Sequence, residues 1–293
     1  MSATSEAGPR RGATLSWQQA ALLIGTAIGI LAVLGWQPIA LAAEQWFNNN
    51  AYTYCLLIPL ISAWLLWERR AELLGMTPSP QPLFLALLIV PAAMYAAGSY
   101  LQINEGMQFA LVAAVQVTLL SVLGWPIYWR FAFAFNYLWL IVPTGSYLLW
   151  PMQWLSTYFS SLLLKLVGIP TYTTWENFHI QVPTGLYEVA PGCAGLNFLL
   201  VAVALSTLFA YLTYRSWPAR ILCVTIAVLV SIVSNWIRVF GIIYIAHLTD
   251  SQAKIVEDHL LYGWFYFAFV MFGLMWLGLK LRPKEDFLGG NPA

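Results

Sequence analysis

The chain has 293 residues, 60% of them hydrophobic and only 9% charged, with 15 tryptophans and a mean hydropathy of +0.72. A water-soluble domain is excluded, because it could not bury that much apolar surface; the composition is that of a polytopic helical membrane protein. A net charge of +1 gives no basic surface for nucleic acid, and Cys55, Cys193 and Cys223 are too few and too scattered for a disulfide framework or a CxxC metal site.

Residues 1–16 are polar, carry Arg10 and Arg11, and read as a disordered cytoplasmic tail. The apolar run that follows is too long for a cleaved signal peptide. Predicted membrane spans are Trp17–Ala43, Tyr52–Trp67, Leu83–Leu101, Met107–Tyr128 and Phe131–Leu149, the last interrupted by Pro143. Residues 150–168 are apolar but carry Ser160, Ser161 and Lys165, which suits a re-entrant or interfacial helix better than a span. Ile169–Val189 is no span either, with Pro170, Glu176, Asn177, His179 and Pro183; its stretch Phe178–Val182 alternates like a strand suited to pairing with an extended peptide. Three further spans are predicted at Ala194–Tyr214, Ala219–His247 and Leu260–Leu279.

The basic residues orient these spans. Arg10/Arg11, Arg69/Arg70, Arg130, Arg215/Arg220 and Lys280/Arg282/Lys284 all fall inside when eight spans are threaded with both termini cytoplasmic. The expectation is an all-α polytopic membrane protein with a single membrane domain over 17–282, an extracytoplasmic loop at about 150–192 and a cytoplasmic tail over 283–293.

Three residues on the last three spans stand out: Cys193, Arg238 and His259. They lie 22, 18 and 21 residues from the inner basic anchors Arg215, Arg220 and Lys280. At 1.5 Å of rise per residue those separations are roughly 33, 27 and 32 Å, against about 30 Å of hydrocarbon, so all three reach the same level near the outer boundary. Cys193 stands between glycines, just after Pro191, at the predicted head of a helix, where free N–H groups favour the thiolate. Such a cluster suits acyl transfer. Cys193 is the nucleophile, His259 the general acid and base, and Arg238, which cannot deprotonate, the oxyanion partner. Asn235, on the same face as Arg238, and Asn197, one turn beyond Cys193, are supporting residues. No cofactor is expected, and three scattered histidines offer no HExxH spacing for a metal.

The segments Ala190-Pro-Gly-Cys-Ala-Gly-Leu196, Tyr211-Leu-Thr-Tyr-Arg-Ser-Trp217, Asn235-Trp-Ile-Arg238 and Asp258-His-Leu-Leu-Tyr-Gly-Trp264 together resemble the exosortase/archaeosortase family of membrane transpeptidases. Leu57-Ile-Pro-Leu-Ile-Ser62, Leu66-Trp-Glu-Arg-Arg70 and Val167-Gly-Ile-Pro170 extend the likeness to roughly residues 45–282. The family's commoner Ala-Cys-Ser-Gly is Gly192-Cys-Ala-Gly195 here, as in a divergent subfamily. The resemblance implies a membrane cysteine peptidase/transpeptidase of the bacterial inner membrane, with Cys193, Arg238 and His259 as its site facing the periplasm. Its implied partners, besides membrane lipid, are exported proteins ending in a sorting signal: a short motif such as Pro-Glu-Pro, a transmembrane helix and a basic tail. Two rival readings are a transporter using Arg238 and His259, and a non-catalytic factor that binds sorting-signal helices. The apolar runs Phe198–Leu205 and Phe265–Leu277 leave no polar path for the transporter.

Overall fold

The computed structural model describes residues 14–250 and 259–281. The chain forms two compact units that divide between Thr144 and Gly145. Among the described residues, six helices are long and apolar enough to cross a membrane, and up to eight spans result if each of two bent helix pairs counts as one.

In the first unit, Ser16 caps α1 (Trp17–Leu34) through a reciprocal capping box with Gln19, and Leu15 donates its N–H to the Pro78 carbonyl. The predicted span Trp17–Ala43 is two helices, because the chain breaks at Gly35 and resumes as α2 (Trp36–Asn48). Pro38 causes the break: it has no N–H for the carbonyl of Leu34, and its ring cannot follow an unbroken helix. A 3₁₀ turn, Thr53–Leu57, leads into α3 (Ile58–Glu68), and this segment is bent by 109° from α2. The short α4 (Arg70–Gly75) follows. The span beginning at Pro82 ends in α5 (Ile89–Leu101), and α6 (Asn104–Leu123) is the unit's central helix.

Polar side chains on α6 sit deep in the unit and find partners where other helices give up carbonyls. Gln108 Nε2 donates to the Pro38 carbonyl (3.0 Å) and Gln116 Nε2 to that of Phe135 (2.7 Å). The predicted span Met107–Tyr128 stops at Leu123, and Gly124 starts the separate α7 (Trp125–Arg130). The predicted span Phe131–Leu149 is also corrected: α8 (Ala132–Tyr137) tightens into a 3₁₀ turn over Leu138–Ile141, and helix is lost around Pro143.

The second unit opens with α9 (Leu149–Leu166), the segment expected to be re-entrant or interfacial. Its buried face is mostly polar: Gln153, Ser156, Thr157, Ser160 and Ser161 recur at helical spacing. Three antiparallel strands follow, β1 (Tyr172–Thr174), β2 (His179–Val182) and β3 (Gly185–Glu188), in the order β1-β2-β3. The alternation at 178–182 is therefore a strand, but the central one. Both its edges are already paired, so it cannot receive a peptide as expected. The sheet buries Ile180, Val182 and Val189 against Leu164 of α9 and Val239 and Ile243 farther along.

The remaining helices are α10 (Leu196–Thr213), the 32-residue α11 (Trp217–Leu248) and α12 (His259–Leu281). Phe198, Ala202, Ala227, Phe267 and Met271 form the core where these three meet. Phe265, Phe269 and Phe272 on α12 stay exposed, an apolar surface suited to lipid. The predicted tail 283–293, residues 1–13 of the N-terminal tail, and Asp258 lie outside the described residues.

Candidate active site

The chain leaves β3 at Glu188 and closes a 3₁₀ turn over Pro191–Cys193, in which the Cys193 N–H donates to the Ala190 carbonyl at 2.8 Å. Gly195 then turns the chain into α10 with φ at +87°. A Cβ there would stand 2.5 Å from Cγ of Asn235, so both conformation and space require glycine. The sequence places Cys193 at a helix head; in the structure α10 starts three residues later, at Leu196. The half-buried thiol therefore lies before the first turn, where the helix dipole has faded. Its cationic neighbour is a side chain instead.

That side chain is Arg238. One face of α11 is buried through Ala227, Ser231, Ser234, Asn235, Arg238 and Val239, a helical repeat that brings Asn235 and Arg238 together. Arg238 is 6% exposed and does not snorkel to a membrane surface. Its guanidinium is within hydrogen-bonding reach of the Cys193 thiol and donates through Nη1 to Asn235 Oδ1 at 3.4 Å. It also lies over the Phe198 ring, 5.1 Å from the centroid. On α12, Gly263 borders the guanidinium so closely that a Cβ would collide with Arg238 Nε.

Asn235 ties the parts together. Its Nδ2 donates to the Cys193 carbonyl at 3.0 Å and to Ser156 Oγ at 2.9 Å, and Ser156 Oγ donates in turn to the Ala194 carbonyl at 3.2 Å. Gln153 Nε2 holds the Val189 carbonyl at 3.0 Å. The backbone on both sides of Cys193 is thus anchored to α9. Sequence reasoning missed Gln153 and Ser156; the signal was the polar repeat 153, 156, 157, 160, 161 on one helical face. It also passed over Glu188, whose exposed carboxylate is near enough to the thiol to act on it electrostatically.

The other predicted residues are distributed unevenly. Asn197 is half-buried in the first turn of α10, and its side chain makes no hydrogen bond among the described residues. His259 is the first residue of α12, four before Gly263; its side chain lies outside the described residues. His247 shares a hydrogen bond with Thr184 Oγ1 (3.1 Å), a structural link. Cys223 lies 15 residues before Arg238 on α11, about 22 Å along the helix, and lines a separate cavity of about 370 Å³. Among the described residues no group of three or more His, Cys, Asp or Glu could hold a metal ion. The arrangement supplies a nucleophile, a fixed cation beside it and a hydrogen-bonded support.

The model of the transmembrane exosortase family matches residues 46–276. Searches of curated proteins and of solved structures returned no match. The chain belongs to the transmembrane exosortase family.

Proposed function

We propose that this exosortase is a membrane-embedded cysteine transpeptidase, cleaving the C-terminal sorting signal of exported proteins through a thioester on Cys193. The observation that carries the reading is the buried Arg238 guanidinium within hydrogen-bonding reach of the Cys193 thiol, with Asn235 bonded both to that arginine and to the cysteine's own carbonyl. A buried arginine beside a cysteine both favours the thiolate and offers planar donors to an oxyanion.

In this reading Cys193 Sγ gives its proton to His259 and attacks the scissile carbonyl, whose oxygen takes the electron pair and is stabilised by Arg238. The tetrahedral species collapses, the C–N bond breaks, and His259 returns the proton to the leaving amine. Water or an acceptor amine then attacks the thioester and frees the thiol. The place of His259 on α12, one turn before the glycine that meets Arg238, supports this role. Asn235 orients the cysteine turn. The site faces the periplasm from the inner membrane, as the basic clusters imply.

Cys193→Ala tests the reading. The variant is expected to lose processing while still co-purifying with sorting-signal proteins, because the apolar binding surface is intact. Wild-type processing by Cys193→Ala would eliminate the transpeptidase and favour a factor that only binds such helices.

A further inference from the structure

The outer edge of β3 leads straight to the thiol. The β2–β3 register pairs His179 with Glu188, Ile180 with Tyr187 and Val182 with Gly185, and Val189 N–H donates to the Phe178 carbonyl at 2.9 Å. That last bond sets the phase of an antiparallel ladder: residues 185, 187 and 189 bond inward, while Leu186 and Glu188 turn their N–H and C=O groups outward. Neither Leu186 nor Glu188 has a hydrogen bond on that side among the described residues. Leu186 is 61% exposed, an unshielded apolar residue on an edge that proteins normally protect. The same strand ends at Glu188, five residues before Cys193.

We infer that β3 is the docking edge for the substrate: an extended peptide adds beside Gly185–Glu188 as a fourth strand, and this pairing sets which carbonyl meets Cys193. The inference rests on the transpeptidase reading and adds how that site holds its substrate. Backbone groups of Leu186 and Glu188 supply the hydrogen bonds, and the Leu186 side chain contacts alternate peptide residues. The pairing is parallel, since β3 runs toward the start of a membrane helix and the substrate runs toward its own. A peptide with prolines at alternate positions suffers no loss in the register that turns those residues' backbone groups away from β3.

The test is disulfide trapping in membranes between Leu186→Cys, in the full-length Cys193→Ala enzyme, and an exported reporter. The reporter ends in a Pro-Glu-Pro segment, an apolar helix and an Arg/Lys tail, with single cysteines placed one at a time upstream of the helix. Strand addition predicts cross-links at alternate reporter positions, at least about five-fold above those between them. Equal yields at successive positions, or no cross-link while the reporter still co-purifies, would overturn strand addition and leave the transpeptidase reading standing. A reporter that does not co-purify at all would overturn both. A second variant, Leu186→Pro, removes one outward donor; KM is expected to rise about ten-fold with turnover at saturation retained. Wild-type KM in Leu186→Pro would contradict the assignment.

Discussion

Arg238 joins a cost of burial to a proposed catalytic role. An arginine at the centre of a span costs about 2.5–3.5 kcal/mol on insertion scales and less toward the boundary, and a buried one persists only with partners. Here the partners are Asn235, the Phe198 ring and the Cys193 thiol. Arg238→Lys keeps the charge but loses the planar fork, and turnover is expected to fall about 10²-fold with the fold intact, as when an oxyanion donor is removed. A fall of less than three-fold in a processing assay would mean that charge alone suffices. Gly263→Ala acts on the same group from α12, pushing a methyl into the guanidinium, and should lower turnover without touching Cys193. Cys193, Asn235 and Arg238 were legible in the sequence because polar residues in apolar runs are conspicuous. Ser156 was not: a serine costs little in a helix, and only the fold places it against Asn235.

At the scale of elements, α9 is the support on which the cysteine turn is built. Gln153 holds the carbonyl of Val189 and Ser156 that of Ala194, so the turn is anchored on both flanks of Cys193. Ser156→Ala leaves Asn235 without one of its two acceptors, at a stability cost of about 1–3 kcal/mol for a buried polar group. Turnover should drop about ten-fold with KM unchanged, and Ser156→Thr, which keeps the hydroxyl, should restore it. An equal loss in Ser156→Thr would mark a packing effect rather than a hydrogen bond. Ser160, Ser161 and Lys165 mark this segment in the sequence as a re-entrant or interfacial element, whereas hydropathy, which averages over a helix, hides that its polar residues share one buried face. The break at Gly35 was hidden for a similar reason: composition stays apolar through it, and only Pro38 betrays it.

A second junction responds to pH. Glu72 in α4 bonds Arg69 (2.7 Å) and Arg130, and Arg69 lies over Phe131 at 4.8 Å. Burial pushes its carboxyl up, but the hydrogen bonds from Arg130 and Arg69 outweigh this and hold it below the usual carboxylate range. A lowered folded pKa means that the contribution to stability is present at neutral pH and disappears as pH falls through that lowered value. Glu72→Gln should therefore lower the melting temperature slightly at pH 7 and bring it level with wild type under strongly acidic conditions. A difference that persists unchanged in acid would show that the pairing contributes nothing.

At the scale of the whole molecule, the spans were legible wherever lipid demands about twenty apolar residues, as in α6, α10 and α11. The β-meander was only partly so. Its central strand alternated visibly, whereas β1 and β3 are too short to show a pattern. The orientation proposed from the basic clusters has a direct check. A membrane-impermeant thiol reagent added to spheroplasts is expected to modify Cys193 and to spare Cys223, about 22 Å deeper on the helix scale. Modification of Cys193 from the cytoplasmic side alone would invert the topology and remove the outward-facing site.

The covalent intermediate is what separates a cysteine transpeptidase from a factor that only binds sorting-signal helices. Membranes carrying the enzyme and a sorting-signal reporter are acid-quenched during turnover, and the peptide containing Cys193 is analysed by mass spectrometry. A thioester on Cys193 gives a mass increase equal to the N-terminal cleavage product less one water, lost on treatment with hydroxylamine and absent from Cys193→Ala. Turnover that proceeds at the wild-type rate with no adduct on Cys193, or with an adduct on another residue, would contradict it.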